Sequence, residues 1–195
     1  MASTELVPSL LIIGERTYCS SFEDWYSRIL RLQELLPLYP WLGLQVRNKT
    51  PAATTELLQL LPQLQPTSQL WINGTIEDPR LFLRHLPEYQ ITQARKYPRF
   101  ATSIHSQAAL YRAMDFQPQF LQYGAIFRTK KPVQPLGLDR LSQISALSSR
   151  PILAVGGINS MEKIIECKKA GAYGVSIGSW IMQAADMKQR IERIG

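Results

Sequence analysis

Two stretches near the C-terminal end of the chain carry the sharpest chemical signal. Pro151 to Ile158 (PILAVGGI) is an apolar run that ends in Gly156 and Gly157 before a helix start. Gly174 to Ser179 (GVSIGS) repeats the pattern with Gly178 and Ser179. Glycines let backbone N–H groups approach an anion closely. A helix N-terminus opening near Ser179 would add partial positive charge and N–H donors. Either stretch alone reads as a tight strand-to-helix turn. Their recurrence in consecutive units predicts a phosphate site at Gly156, Gly157, Gly178 and Ser179, with the purely structural turn as the alternative.

Other polar residues fall where strands should end. In Gln45-Val46-Arg47-Asn48-Lys49, alternation sends Gln45, Arg47 and Lys49 to one side. Two cations and an amide suit a diphosphate, and the alternative is an exposed Arg and Lys in a loop. Asn73, in Trp71-Ile72-Asn73-Gly74, offers hydrogen bonds to the edge of a heterocycle. Ser103 and His105 end another run, and Arg128, Lys130 and Lys131 form a basic loop. His105 is the one candidate for acid–base catalysis, although a lone histidine more often caps the next helix. The other histidine, His85, reads as surface. Two histidines exclude a multi-histidine metal site, and no spaced pair of carboxylates, Ser-His-Asp order or Cys-His pairing stands out.

The elements that must position these residues alternate between two periods. Apolar runs at 10–14, 41–47, 69–74, 89–93, 100–105, 120–127, 151–157 and 174–178 predict strands, several of them buried on both faces. Helical spacing is present over 22–36, 51–61, 105–115, 138–147, 160–170 and 179–194. Strands alternating with helices mean a parallel sheet with right-handed crossovers. Eight units predict an α/β fold of the compact (β/α)8 TIM-barrel type over residues 1–195 as a single domain, ahead of a flavodoxin-like open sheet.

Composition bounds the rest. Apolar residues are 45% and charged residues 19% of 195, which fits a globular chain and excludes disorder. Two cysteines exclude a disulfide scaffold, and no apolar run is long enough to span a membrane. The start MASTELVPSLLIIGE lacks a basic region and predicts a mature, cytoplasmic chain. The net charge of +7 points to an anionic partner. No basic helix or aromatic-rich basic strand favours nucleic acid, so the expected partner is a phosphorylated small molecule, with neither nucleic acid nor membrane.

Together these motifs resemble the thiamine-phosphate synthase / TenI family over nearly the whole chain. QVRNK (45–49) is similar to the family's Gln-x-Arg-Glu-Lys, SIHS (103–106) to its Ser-Val-His-Ser, and WING (71–74) to its strand-three turn. YGAIF with the following TKK and PLGL resembles its strand-six loop, and PILAVGGI with GAYGVSIGSWIM resembles its phosphate signature. The resemblance implies a (β/α)8 barrel in which Gly157, Gly178 and Ser179 hold a thiazole phosphate. Gln45, Arg47, Lys49 and Asn73 would face a diphosphate and pyrimidine, and Ser103 with Lys130 or Lys131 would complete the diphosphate grip. It also implies a homodimer.

The departures from the family pattern are specific. Synthases carry Asp after the strand-three Asn as a magnesium ligand, where this chain has Gly74. Their second metal-binding Asp follows strand four, and the matching stretch here is Gln93-Ala94-Arg95-Lys96, which places Lys96 near the acid's position. Magnesium needs hard oxygen ligands, so no metal or cofactor is expected unless Glu15, Glu77 or Asp78 supplies it for synthase activity. TenI-type tautomerases use a histidine after the strand-six Gly, and here that position is Ala125. The resemblance therefore implies a TenI-like protein binding thiazole phosphate or thiamine phosphate. An active synthase and a non-catalytic phosphate-binding or regulatory barrel are the alternatives.

Overall fold

Side-chain alternation decides which face each strand residue takes. Along β1 (Leu10–Glu15), Leu10 and Ile12 pack outward against the helices, and Leu11 turns inward. The same alternation recurs on every strand of the computed structural model, which describes residues 7–74, 83–130, 132 and 134–195. The strands are β1, β2 (Leu42–Arg47), β3 (Leu70–Asn73), β4 (Leu83–Leu86), β5 (Arg99–Ile104), β6 (Leu121–Gly124), β7 (Ile152–Val155) and β8 (Gly174–Ile177). All pair in parallel in chain order, and β8 closes onto β1 through Leu10↔Val175 and Ile12↔Ile177. The (β/α)8 barrel read from the sequence is the fold.

The barrel interior is plugged at its lower end by Leu11, Trp71, Leu83, Ala101, Phe120 and Leu153. Trp71 and Phe120 meet edge to face at 5.3 Å. A larger apolar shell lies between the strands and the surrounding helices. The helix α1 (Phe22–Leu35) shows how that shell is built. Ser21 caps it by accepting from the Asp24 N–H, and Trp25, Ile29 and Leu32 form its buried stripe. The Trp25 indole donates to the Gly14 carbonyl at 2.9 Å, tying the helix to β1. The others are α2 (Ala53–Leu60), α3 (Gln107–Met114), α4 (Gly137–Leu147), α5 (Met161–Lys169), α6 (Ser179–Met182) and α7 (Met187–Glu192). Ser160 caps α5 and Gly171, at φ +89°, stops it, as expected.

Three expectations are corrected. The fourth strand is Leu83–Leu86, not 89–93, which lies inside a 3₁₀ helix running from Glu88 to Lys96. Tyr89 is 81% exposed, so the apolar alternation there buries little. That helix connects the top of β4 to the bottom of β5. Lys96 therefore lies at the lower end of the barrel, and the acid that follows β4 at the top is Glu88. The predicted helix over 179–194 is two short helices, because Asp186 accepts from the Gln189 N–H at 2.9 Å and starts α7 afresh. Glu77, Asp78 and Lys131 lie outside the described residues. Among the described residues no helix is long and apolar enough to cross a membrane.

Candidate functional site

In parallel barrels the strand C-termini and the loops after them form one mouth. Register brings Glu15, Arg47 and Asn73 side by side at the tops of β1, β2 and β3. Glu15 is buried, and its Oε2 lies 3.2 Å from Arg47 Nε. The pair's alignment is too poor for a hydrogen bond, which leaves Glu15 Oε1 and Arg47 Nε without hydrogen-bond partners. Arg47 is partly exposed, so its charge reaches the mouth, whereas Lys49 stands exposed on the following loop.

That loop is fixed by a network absent from the sequence-based expectations. Asn48 donates to Glu56 Oε2 at 2.6 Å and accepts from the Thr50 N–H and hydroxyl, each at 2.9 Å. Glu56 also holds Arg16, at 3.3 Å. A short polar side chain that bonds its own backbone two residues on stabilises a turn, and here it sets the exit of Arg47 and Lys49 from β2.

Gln45 sits deeper than its motif suggested. Its side-chain oxygen accepts from Gln122 Nε2 at 2.8 Å, and Gln122 also donates to Ser176 at 3.0 Å. This polar layer joins β2, β6 and β8 across the barrel, and all three residues are buried. Ser103 is half-buried on β5, with its hydroxyl 2.9 Å from Nε2 of His85 on β4. His85 is 1% exposed and points into the barrel, so its reading as a surface residue is corrected. Burial, reinforced by the nearby Arg47 charge, pushes its pKa down to about 3 and keeps the ring neutral. His105 lies on the exposed rim, where Nδ1 is 2.8 Å from Glu88 Oε2, and Arg112 reaches the same carboxylate at 3.3 Å. It does not cap the next helix; Ser106 does, accepting from the Ala109 N–H.

The glycine turns adopt the conformations their residue type allows. Gly156 and Gly157 have φ of +95° and +72°. A Cβ on Gly157 would stand 2.6 Å from the Arg128 carbonyl oxygen and 2.7 Å from Phe127 Cβ, so close packing of the β6 and β7 loops itself demands glycine. Gly178 lies under the Tyr18 ring, which a side chain there would strike. Burial raises the Tyr18 pKa, with Arg47 opposing and Glu15 adding to the effect. Ser179 is exposed at the start of α6, which is only four residues long. Lys163 of α5 bends back over the Phe127 ring at 5.0 Å. Its ammonium donates to the Gly157 carbonyl at 3.0 Å and to Asn159 Oδ1 at 2.8 Å. Nothing in the sequence pattern marked Lys163. Arg128 and Lys130 are exposed on the adjoining loop.

The described residues do not fit magnesium. Gly74 follows Asn73 where a carboxylate would be needed, and no three of His, Cys, Asp or Glu cluster among them. Glu15 is engaged by Arg47, and Glu88 by His105 and Arg112. The mouth is instead a basic rim over a neutral polar interior.

These features define a (β/α)8 barrel with a cationic mouth above a buried amide and imidazole layer. Known proteins place it further. A family model described as thiamine monophosphate synthase matches residues 88–181. The chain is 38% identical to the thiamine-phosphate synthase of Methanococcus maripaludis over 79 residues, covering 38% of this chain and 37% of that one. It is 35% identical to the putative thiamine-phosphate synthase 2 of Aquifex aeolicus over 99 residues, covering 47% and 53%. The matched segments thus span roughly half or less of these relatives. In fold, the chain is similar to the thiamine phosphate pyrophosphorylase from Pyrococcus furiosus, with a TM-score of 0.69 and 20% identity over 97% of this chain and 94% of that one. The chain belongs to the thiamine-phosphate synthase / TenI family.

Proposed function

We propose that the mouth binds a phosphorylated thiazole or thiamine phosphate, as a TenI-like member of the family. One observation carries this reading: the rim keeps Arg47, Lys49, Arg128 and Lys130 for an anion, while the described acids are held by cations and Gly74 replaces a carboxylate. Charge-assisted hydrogen bonds from Arg and Lys favour phosphate oxygens. In this reading Gly156, Gly157, Gly178 and Ser179 face the thiazole phosphate. Arg47, Lys49, Asn73, Ser103 and Lys130, with Lys131, line the opposite side, and Gln45 supports them from below. Ala125 replaces a tautomerase histidine, so His105 is the remaining acid–base candidate on the rim.

An active synthase is the second reading, favoured by the names of the relatives. One experiment separates them. The protein is incubated with pyrimidine diphosphate, thiazole phosphate and Mg²⁺, and thiamine phosphate is followed. The first reading expects saturable binding of thiazole phosphate by calorimetry and no turnover. Turnover above a no-protein control would overturn it in favour of the synthase. Absence of binding would remove both.

A further inference from the structure

The mouth holds a buried titratable group that the sequence motifs did not absorb. We propose that His85 is a positioning residue that orients the Ser103 hydroxyl as a hydrogen-bond donor toward the phosphorylated ligand. This inference rests on the phosphate-binding reading of the mouth.

The geometry comes from adjacent strands. Register pairs His85 with Ala101, so Ser103 stands two residues higher on β5, between the imidazole and the opening. The His85 ring is walled from below by Phe120, with centroids 6.4 Å apart. Its Nε2 is 2.9 Å from Ser103 Oγ, and its Nδ1 has no partner. Ser103 is half-buried, so one side of its hydroxyl meets the ring while the other faces the mouth.

Charge then fixes the hydrogen bond's direction. Burial and the Arg47 charge hold the ring neutral, so it carries a single N–H. With that proton on Nδ1, a buried donor would have no acceptor, and Nε2 would consume the Ser103 hydroxyl proton. With it on Nε2, the ring donates to Ser103 Oγ and the group left over is a lone pair. Buried donors are orphaned less often than acceptors, which favours the second arrangement. Ser103 has one proton, and that arrangement leaves it to point up the barrel. A phosphate offers only acceptors at the oxygens facing Arg47, so a serine locked as donor matches it. The reverse arrangement would present a lone pair to an anion.

Nitrogen-15 spectroscopy of the imidazole in the full ligand-free chain reads the proton's place directly. His105→Gln separates the two histidine signals. The expected result is a proton on Nε2 that stays there from pH 8 to pH 5. Titration with inorganic phosphate and inorganic diphosphate gives the functional arm. Loss of one oriented hydrogen bond predicts about tenfold weaker binding in His85→Phe and in Ser103→Ala. The double variant should be no weaker than Ser103→Ala, because both remove the same donor. His85→Gln, whose amide N–H can replace Nε2–H, should bind within about threefold of the natural chain. It also serves if the Phe variant fails to fold. A proton on Nδ1 overturns the inference even where the probes bind. So do additive losses in the double variant, or unchanged affinity in His85→Phe while Ser103→Ala is weakened. A natural chain that binds neither probe overturns the phosphate-binding reading itself.

Discussion

His85 gives the barrel an acid sensitivity whose size follows from its environment. The folded ring takes up a proton only near pH 3, because burial and the Arg47 charge oppose a second positive charge. In the unfolded chain an ordinary histidine binds a proton near pH 6.5. Between those values the unfolded state holds one more proton than the folded state. Stability is therefore complete above pH 6.5 and declines as the pH falls toward 3, by up to about 1.4 kcal/mol per unit. From pH 6.5 to 4.5 the loss is about 2–3 kcal/mol. For a chain of this size that lowers the Tm by about 5–10 °C. The window above pH 4.5 lies clear of carboxylates such as Asp24, held below their usual range by Arg28, which add their own loss at lower pH. Thermal unfolding followed by circular dichroism at pH 7.0, 5.5 and 4.5 checks the effect in the natural chain and in His85→Gln. The variant should lose most of the pH dependence, since the ring that resists protonation is gone. Equal Tm shifts in the two proteins would refute the reasoning, as would a natural chain whose Tm does not move.

Three other outcomes follow from packing and charge. Gly157→Ala should cost about 1–3 kcal/mol in denaturant unfolding: the added Cβ meets the Phe127 and Arg128 backbone at a φ of +72°. Burial pushes Cys167 up to about 12 and Cys19 up to about 11. Iodoacetamide at pH 8 should leave both unmodified in the folded chain and label both in guanidinium, as read by mass spectrometry. Trp25→Phe keeps most of a fully buried ring but deletes its 2.9 Å bond to the Gly14 carbonyl. It should destabilise by about 1–3 kcal/mol, with an unchanged denaturant slope.

The strands that were legible are those whose two faces are both apolar. β1, β7 and β8 bury Leu, Ile, Val and Ala toward both the helices and the barrel interior, so their runs are nearly continuous. β4 was illegible because its two central residues are charged or polar. Arg84 is buried by donating to the Gly74 carbonyl at 2.8 Å and lying 5.2 Å from the centre of the Tyr97 ring. His85 is buried against Phe120 and Ser103. Both partnerships are made across the fold, and no local pattern encodes them. The same limit applied at the mouth. Arg47 and Ser103 were recognisable as strand-end polar residues, but the Glu15 carboxylate and the His85 ring that hold them come from other strands.

This division bears on what the mouth can do. Its cations are loop residues at strand tops, and their positions follow from strand length alone. Their strength as an anion site depends on what lies beneath them. Gln45, Gln122 and Ser176 are neutral, and His85 stays neutral under the influence of Arg47 itself. A neutral interior adds no competing charge. The buried carboxylate is therefore the deciding group. Glu15 stands beside Arg47 with one oxygen lacking a hydrogen-bond partner. An incoming phosphate must draw the guanidinium against that carboxylate, at a cost that rises as water is excluded. Glu15→Gln keeps the shape and removes the charge. It should tighten phosphate binding and make the affinity less dependent on salt than a simple surface cation would. Weaker binding, measured by calorimetry at two ionic strengths, would show instead that Glu15 serves mainly to aim Arg47 at the ligand.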